Sequence, residues 1–457
     1  MRYRGQIFVN TVWISFLIVI LVYDQNPLQT VQAKEMKVSS FLLQADKNTI
    51  KTYQTTKNIK DTPDYEKLKD LYDQKHYFDL RDEVQKYDNL KSVELLFYRG
   101  AVGNKFNQIE SSIRYLNEFI NQKKNTQLML EAYELLADNY RKSYQYKKAS
   151  EIYGKILSGF KDEIDKDDIK DYETNIKLWG ALKNVPPQKV KFKGNSNLKR
   201  NKQGRIPVEI NNQQTAFIFD TGANLSVITH SLAKKLSLQI IETSIDVRAI
   251  AGNKVNAKLA AAKELKLDNA VVSNAIFLVF EDTDLFIKEA NFQIDGLIGF
   301  PVIEGLKEVT FIGKDEIFIP VKPTNSGEQN MAINGLTPLI AGWHKDKRLI
   351  FAFDTGADAT DLYPLFYKAF EDEIKEKYEE HTEKVRGVGG GMEIKGYLAK
   401  NLEMKFAGMI VMFTEIPILI EETNENSKYF YGNIGQDLVK QFEKMTVNFE
   451  QMSISFD

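Results

Sequence analysis

The 457-residue chain contains no cysteine. Disulfides, thiolate-held zinc, iron–sulfur clusters and cysteine nucleophiles are thereby excluded. Only four histidines occur, His76, His230, His344 and His381. They are scattered and form no HExxH pair, which argues against a histidine-rich metal centre. Neither GxxxxGK[ST] nor GxSxG is present, so a phosphate loop and a serine elbow are absent as well. No sign of charge dominates: Lys+Arg is 61, Asp+Glu is 63 and the formal net charge is −2. That balance argues against a chain held to nucleic acid mainly by phosphate contacts. Hydrophobic residues make up 43% and charged residues 27%, the make-up of a globular chain long enough for about three domains.

Long apolar runs are also scarce. The one that stands out, Val12 to Tyr23, follows Arg2 and Arg4. It is shorter than the roughly 20 residues a helix needs to span a bilayer. Val31-Gln32-Ala33 then places small residues where a signal peptidase prefers them. The expectation is a signal peptide over residues 1–33 and an exported protein, periplasmic or secreted. The alternative is an uncleaved membrane anchor beginning at Ile7. An exported chain without cysteine depends on packing for its stability.

Residues 34–188 carry apolar positions at helical spacing with little Gly or Pro. In the clearest stretch, Tyr133, Leu136, Ala137, Tyr140, Ala149, Tyr153 and Ile156 alternate large and small residues as paired helices require. Leu96, Gly100, Ser112, Leu116 and Phe119 form a weaker copy upstream, and a third pair is expected around Tyr65 to Tyr87. The pattern resembles tetratricopeptide repeats, in which small residues let two helices approach and aromatics fill the seam. That resemblance implies a concave surface for a protein partner; an irregular helical bundle is the plainer reading. Pro186-Pro187 ends the region. Lys189 to Asn201 reads as a linker or a first edge strand.

The remainder repeats. Phe217-Ile218-Phe219 leads into Asp220-Thr221-Gly222-Ala223, and Phe351-Ala352-Phe353 into Asp354-Thr355-Gly356-Ala357. A hydroxyl residue follows each loop at the same place, Ser226 and Thr360. Further on, Asp295-Gly296-Leu297-Ile298-Gly299 answers Tyr431-Gly432-Asn433-Ile434-Gly435 at nearly equal separation. One Asp-Thr-Gly arises by chance in on the order of one such chain in ten at average composition. Two, each closing an apolar strand and each followed by matching elements, do not.

Over residues 190–457 the chain resembles the aspartic proteases, and within them the retropepsin-like group. Asp354-Thr355-Gly356-Ala357-Asp358-Ala359-Thr360 is similar to the active-site loop of retroviral proteases. The resemblance implies a multidomain protein. An all-α region over 34–188 precedes an all-β bilobal aspartic protease fold of pepsin/retropepsin type. Its two lobes are expected at 189–322 and 323–457, in one chain.

The residues make chemical sense on their own. Peptide hydrolysis needs an activated water and a proton for the leaving nitrogen. Two adjacent carboxylates cannot both ionise cheaply, so one holds a proton and the other does not. Asp220 and Asp354 are the expected dyad. Gly222 and Gly356 allow a tight loop, and Ala223 and Ala357 keep the pocket floor small. Ser226 and Thr360 are expected to hydrogen-bond either the outer carboxylate oxygens or nearby backbone. By resemblance, Thr221 and Thr355 cross-link the two loops. The resemblance also puts Asp358 against substrate backbone, with Asn224 in that place in the first lobe. Arg248 to Asn253 and Arg386 to Met392 fit the tips of glycine-bearing hairpins, the flaps of the family, so Arg248, Gly252, Gly387 and Gly389 join the substrate-binding candidates. Retroviral enzymes place an Arg after the Ile-Gly element, where this chain has Phe300 and Gln436. The expected function is an exported endopeptidase acting on extended polypeptide, with no metal or organic cofactor implied. The alternative is a catalytically silent protease-fold protein that binds peptide on a helical-repeat scaffold.

Overall fold

The computed structural model describes residues 62–122, 128–248, 254–288, 291–324, 327–387 and 390–457. The expected signal segment lies outside the described residues. Among those described, no helix is long and apolar enough to cross a membrane.

A helical region comes first: α1 (Tyr65–Asp73), α2 (Tyr77–Val84), α3 (Val93–Lys105), α4 (Ile109–Gln122), α5 (Leu128–Lys142), α6 (Tyr146–Phe160) and α7 (Lys166–Ala181). Consecutive helices pack as hairpins. The small residues are where helices come closest. A Cβ on Gly100 of α3 would meet the Leu116 side chain of α4 at 2.6 Å. Ala137 of α5 and Ala149 of α6 are fully buried beside Tyr153 and Ile156. A polar knot ties α3, α4 and α5 together. Asp138 accepts from Arg141 Nε at 2.6 Å, Lys142 Nζ at 2.8 Å and Asn104 Nδ2 at 2.9 Å, while Asn139 Nδ2 reaches Ser112 Oγ at 2.8 Å.

The chain then becomes β-rich. The first half holds β1 (Lys189–Phe192), β2 (Ser196–Lys199), β3 (Arg205–Ile210), β4 (Gln213–Phe219), β5 (Ser226–Thr229), β6 (Gln239–Arg248), β7 (Lys254–Leu267) and β8 (Ala270–Phe280). It continues with the short pair β9 (Phe286–Ile287) and β10 (Phe292–Gln293), then β11 (Gly296–Ile298), β12 (Glu308–Ile312) and β13 (Glu316–Ile319). The second half holds β14 (Met331–Asn334), β15 (Thr337–His344), β16 (Lys347–Phe353), β17 (Asp361–Leu362), β18 (Glu379–Gly387), β19 (Gly390–Phe406), β20 (Met409–Leu419), β21 (Gly432–Ile434), β22 (Lys444–Asn448) and β23 (Ser453–Phe456). Two short helices, α8 (His230–Lys235) and α9 (Phe300–Gly305), lie in the first half.

Two closed barrels result, on one plan. In the first, β8, β5, β11, β4, β3 and β7 are neighbours in that order, and β7 pairs back onto β8. In the second, β20, β17, β21, β16, β15 and β19 follow the same order, and β19 pairs back onto β20. Strand alternation fills each interior. Phe217 and Phe219 of β4, and Phe351 and Phe353 of β16, are buried in a single apolar core that runs through both barrels.

A third sheet joins the halves, in the order β2, β13, β12, β22, β23. Its middle pair, β12 with β22, takes one strand from each half, from Glu308↔Asn448 to Ile312↔Lys444. The Lys189–Asn201 stretch thus supplies two strands, β1 at the edge of the first barrel sheet and β2 at the edge of this one. The helical region docks on both barrels. Tyr77, Phe78 and Phe106 pack against Leu339, Ile350 and Phe430 of the second. Tyr77 Oη donates to Asn334 Oδ1 at 2.8 Å, and Arg348 pairs with Asp79 and Asp82. On the first, Asn107 Nδ2 donates to Glu304 Oε1 at 2.8 Å and Tyr144 Oη to the Pro301 carbonyl at 3.1 Å.

Candidate active site

The two Asp-Thr-Gly-Ala loops leave the ends of β4 and β16, and each is held by the strand that runs parallel beside it. Ile298 of β11 lies beside Phe219, and Ile434 of β21 beside Phe353. The Asp220 amide donates to the Ile298 carbonyl at 3.0 Å and the Asp354 amide to the Ile434 carbonyl at 2.9 Å. Ser226 Oγ accepts from the Gly299 amide, and Thr360 Oγ1 from the Gly435 amide, both at 3.0 Å. Of the two roles expected for these hydroxyls, the structure realises the backbone one. They fasten loop to strand and do not touch the dyad. The places after each Ile-Gly are used in the same way. The Phe300 amide reaches the Ala223 carbonyl and the Gln436 amide the Ala357 carbonyl, both at 2.8 Å. Gln436 Nε2 also donates to the Thr355 carbonyl at 2.6 Å, and its Oε1 accepts from Arg200 at 3.3 Å, so an amide side chain braces the second loop.

The loops meet back to back. Each threonine hydroxyl accepts from the other's amide, Thr221 N to Thr355 Oγ1 at 3.1 Å and Thr355 N to Thr221 Oγ1 at 2.9 Å. Each then donates across to the opposite barrel, Thr221 Oγ1 to the Phe353 carbonyl and Thr355 Oγ1 to the Phe219 carbonyl, both at 2.9 Å. All four groups are buried. Thr355→Val removes one hydroxyl and strands the Thr221 amide and the Phe219 carbonyl. Each orphaned group costs about 1–3 kcal/mol. A urea titration of the full chain should show that loss; an unchanged midpoint would contradict the cross-link.

The carboxyls of Asp220 and Asp354 are thereby brought into hydrogen-bonding contact with each other. They are 1% and 2% exposed. Asp220 Oδ1 accepts from the Gly222 and Ala223 amides at 2.8 and 3.1 Å, and Asp354 Oδ1 from the Gly356 amide at 2.8 Å. Each loop glycine seats the other loop's acid. A Cβ on Gly356 would fall 2.5 Å from the Asp220 carboxyl carbon, and one on Gly222 would strike Asp354. Asp354 Oδ2 is buried with no partner among the described residues. Burial raises both acids. Asp220 goes well above the carboxylate range, with the charge of Asp354 adding to the effect. Asp354 is pushed up to about 6, held back by its hydrogen bonds to Asp220, Gly356 and Asn433.

Around this symmetric centre the two halves differ. Asn224 is buried, and its Oδ1 has no partner among the described residues, whereas its counterpart Asp358 is exposed, near Arg200 and Lys440. Ala223 and Ala357 are fully buried under their loops. The expected hairpins are present, β6 with β7 up to Arg248↔Lys254 and β18 with β19 up to Gly387↔Gly390. Gly252 and Gly389, at their tips, lie outside the described residues. Helix α7 packs against β6, so the first hairpin leans on the helical region. Two further residues lie beside the site, Asp361 and, within the repeated element, Asn433. They sit where the first barrel has Val227 and Leu297. Aligning the two loops one residue past Thr360 reveals the first of them.

Comparison with known proteins places the first barrel. Residues 206–302 match the model of a family described as aspartyl protease. Among solved structures, a retropepsin-like aspartic protease from Rickettsia conorii aligns with 20% identity over 29% of this chain and 91% of that one, with a TM-score of 0.20. No curated protein matches.

Proposed function

We propose that the chain is an exported aspartic endopeptidase. The observation that carries this is the pair of buried carboxyls in contact, each presented by its own Asp-Thr-Gly-Ala loop and each seated on the other loop's glycine. In the singly protonated pair, the charged carboxylate takes a proton from a water as its oxygen attacks the scissile carbonyl carbon. The protonated carboxyl donates to the carbonyl oxygen as charge develops there. A dyad proton then passes to the leaving nitrogen as the C–N bond breaks. An amine and a carboxylic acid depart, and the pair again holds one proton. The substrate lies as an extended strand between the dyad and the two hairpins, which part to admit it. Both carboxyls are in place, which weighs against the silent peptide-binding alternative. The helical hairpins serve as a tetratricopeptide-like scaffold for a protein partner. The N-terminal segment directs export.

Digestion of a peptide library by the purified chain, with products read by mass spectrometry, tests this reading. Cleavage at defined internal bonds is expected, and its absence at every pH from 3 to about 9 contradicts it. The pH profile is a second expectation. With both acids raised, kcat/KM should climb as pH passes about 6 and fall at higher pH, when the last shared proton leaves. A rate already at its maximum at pH 4 would show that the buried pair titrates differently.

A further inference from the structure

In the first barrel, Val227 pairs with Leu297 beside the loop. In the second, the matching pair is Asp361 with Asn433. An apolar pair has become a polar one next to only one acid of the dyad. Leu362 is part of the barrel core, so strand alternation turns Asp361 to the opposite face. That face carries Ala357, Tyr363, Ile394 and Leu419, a small buried cluster apart from the core. Ile394 belongs to β19, so the second hairpin lies over it.

Asp361 is 3% exposed, and neither of its carboxyl oxygens has a hydrogen-bond partner among the described residues. A buried acid without donors is costly, and a fold that keeps one leaves a demand that another molecule can meet. Among the described residues, the charges that act on it, from Glu383, Asp354 and Asp437, are negative. Burial and these neighbours hold it well above the ordinary carboxyl range, so it waits as the neutral acid. A cation brought against it lets it ionise and supplies the missing donors.

We propose that Asp361 selects the substrate on the second barrel's side of the cleft by receiving a lysine or arginine side chain. The proposal rests on the reading of the dyad as a peptidase. A strand laid under the second hairpin turns alternate side chains toward this face, so one of them reaches Asp361. The preference is for a donor-bearing cation, and an unbranched apolar side chain of the same length leaves the acid unpaired.

The test is a scan with the full chain. Lysine or norleucine is placed at each position flanking the cleaved bond of one good library peptide. Wild type should favour lysine at one position by at least about tenfold in kcat/KM. Asp361→Val, which installs the first barrel's residue, should bring that ratio to one or below. The ratio is taken within each variant, so a partial loss of folded protein does not alter it. No lysine preference at any position, or a preference unchanged in Asp361→Val, overturns the proposal. If wild type cleaves nothing, the peptidase reading fails, and library peptides that differ only in lysine or norleucine at one position are compared by calorimetric binding. Tighter binding of the lysine peptide that disappears in Asp361→Val supports the role of Asp361, and equal binding of both peptides overturns it.

Discussion

Asp220→Asn and Asp354→Asn should each lower peptide hydrolysis by about 10²–10⁴-fold or more, the contribution of a positioned acid–base group. Each variant keeps an oxygen to accept the Gly222 or Gly356 amide, so the loop retains its hydrogen bonds. What each loses is a carboxyl that can exchange a proton with its neighbour. The fold should gain slightly, because two buried acids no longer compete for one proton. The double variant should be scarcely slower than either single one, since the two acids act as a unit. Circular dichroism and kcat/KM on one library peptide check all three statements. A single variant with near wild-type turnover would place the chemistry elsewhere.

Asp138→Ala should destabilise the chain by about 3–5 kcal/mol, the cost of breaking a buried ion pair from one side. The acid is buried with Lys105, Arg141 and Lys142 around it. Burial and Lys142 already push Lys105 down to about 7, so it can shed its proton when the acid goes. Arg141 cannot, because guanidinium does not deprotonate in proteins. It would remain as an uncompensated charge between α5 and the barrels. Thermal and urea unfolding should both register the change. A loss below about 1 kcal/mol, the ceiling for an exposed pair, would mean that water reaches the knot.

Much of the site was legible because its chemistry is local in sequence. Asp220 to Ala223 and Asp354 to Ala357 announce the turn, the acid and the small floor within four residues. The hairpins showed through glycines at their tips, and the helical pairs through small residues such as Gly100 and Ala149. Pairings between distant segments were not legible. Nothing near Glu308 indicates that it will lie opposite Asn448, and nothing in Tyr77 or Arg348 indicates that the helical region will bind the second barrel. Lys189–Asn201 had two open readings, a linker or a first edge strand, and only its partners β8 and β13 decide for strands. Ser226 and Thr360 had two open roles, and only their distances to Gly299 and Gly435 chose between them. Asp361 lies one residue beyond the last matched loop position, Thr360, where the two halves part. An acid in a short strand is explained only by what packs on it.

On the proposed reading, two loops of one chain build one catalytic cleft. The measurement that tests it most directly is calorimetric titration of the purified chain with a cleaved library peptide whose scissile amide is replaced by a tetrahedral hydroxymethylene group. Such a mimic of the transition state should bind about 10²-fold or more tighter than the parent peptide. One site per chain is expected, with that extra affinity lost in both Asp220→Asn and Asp354→Asn. Two sites per chain, one site per two chains, or an affinity indifferent to either acid would contradict it.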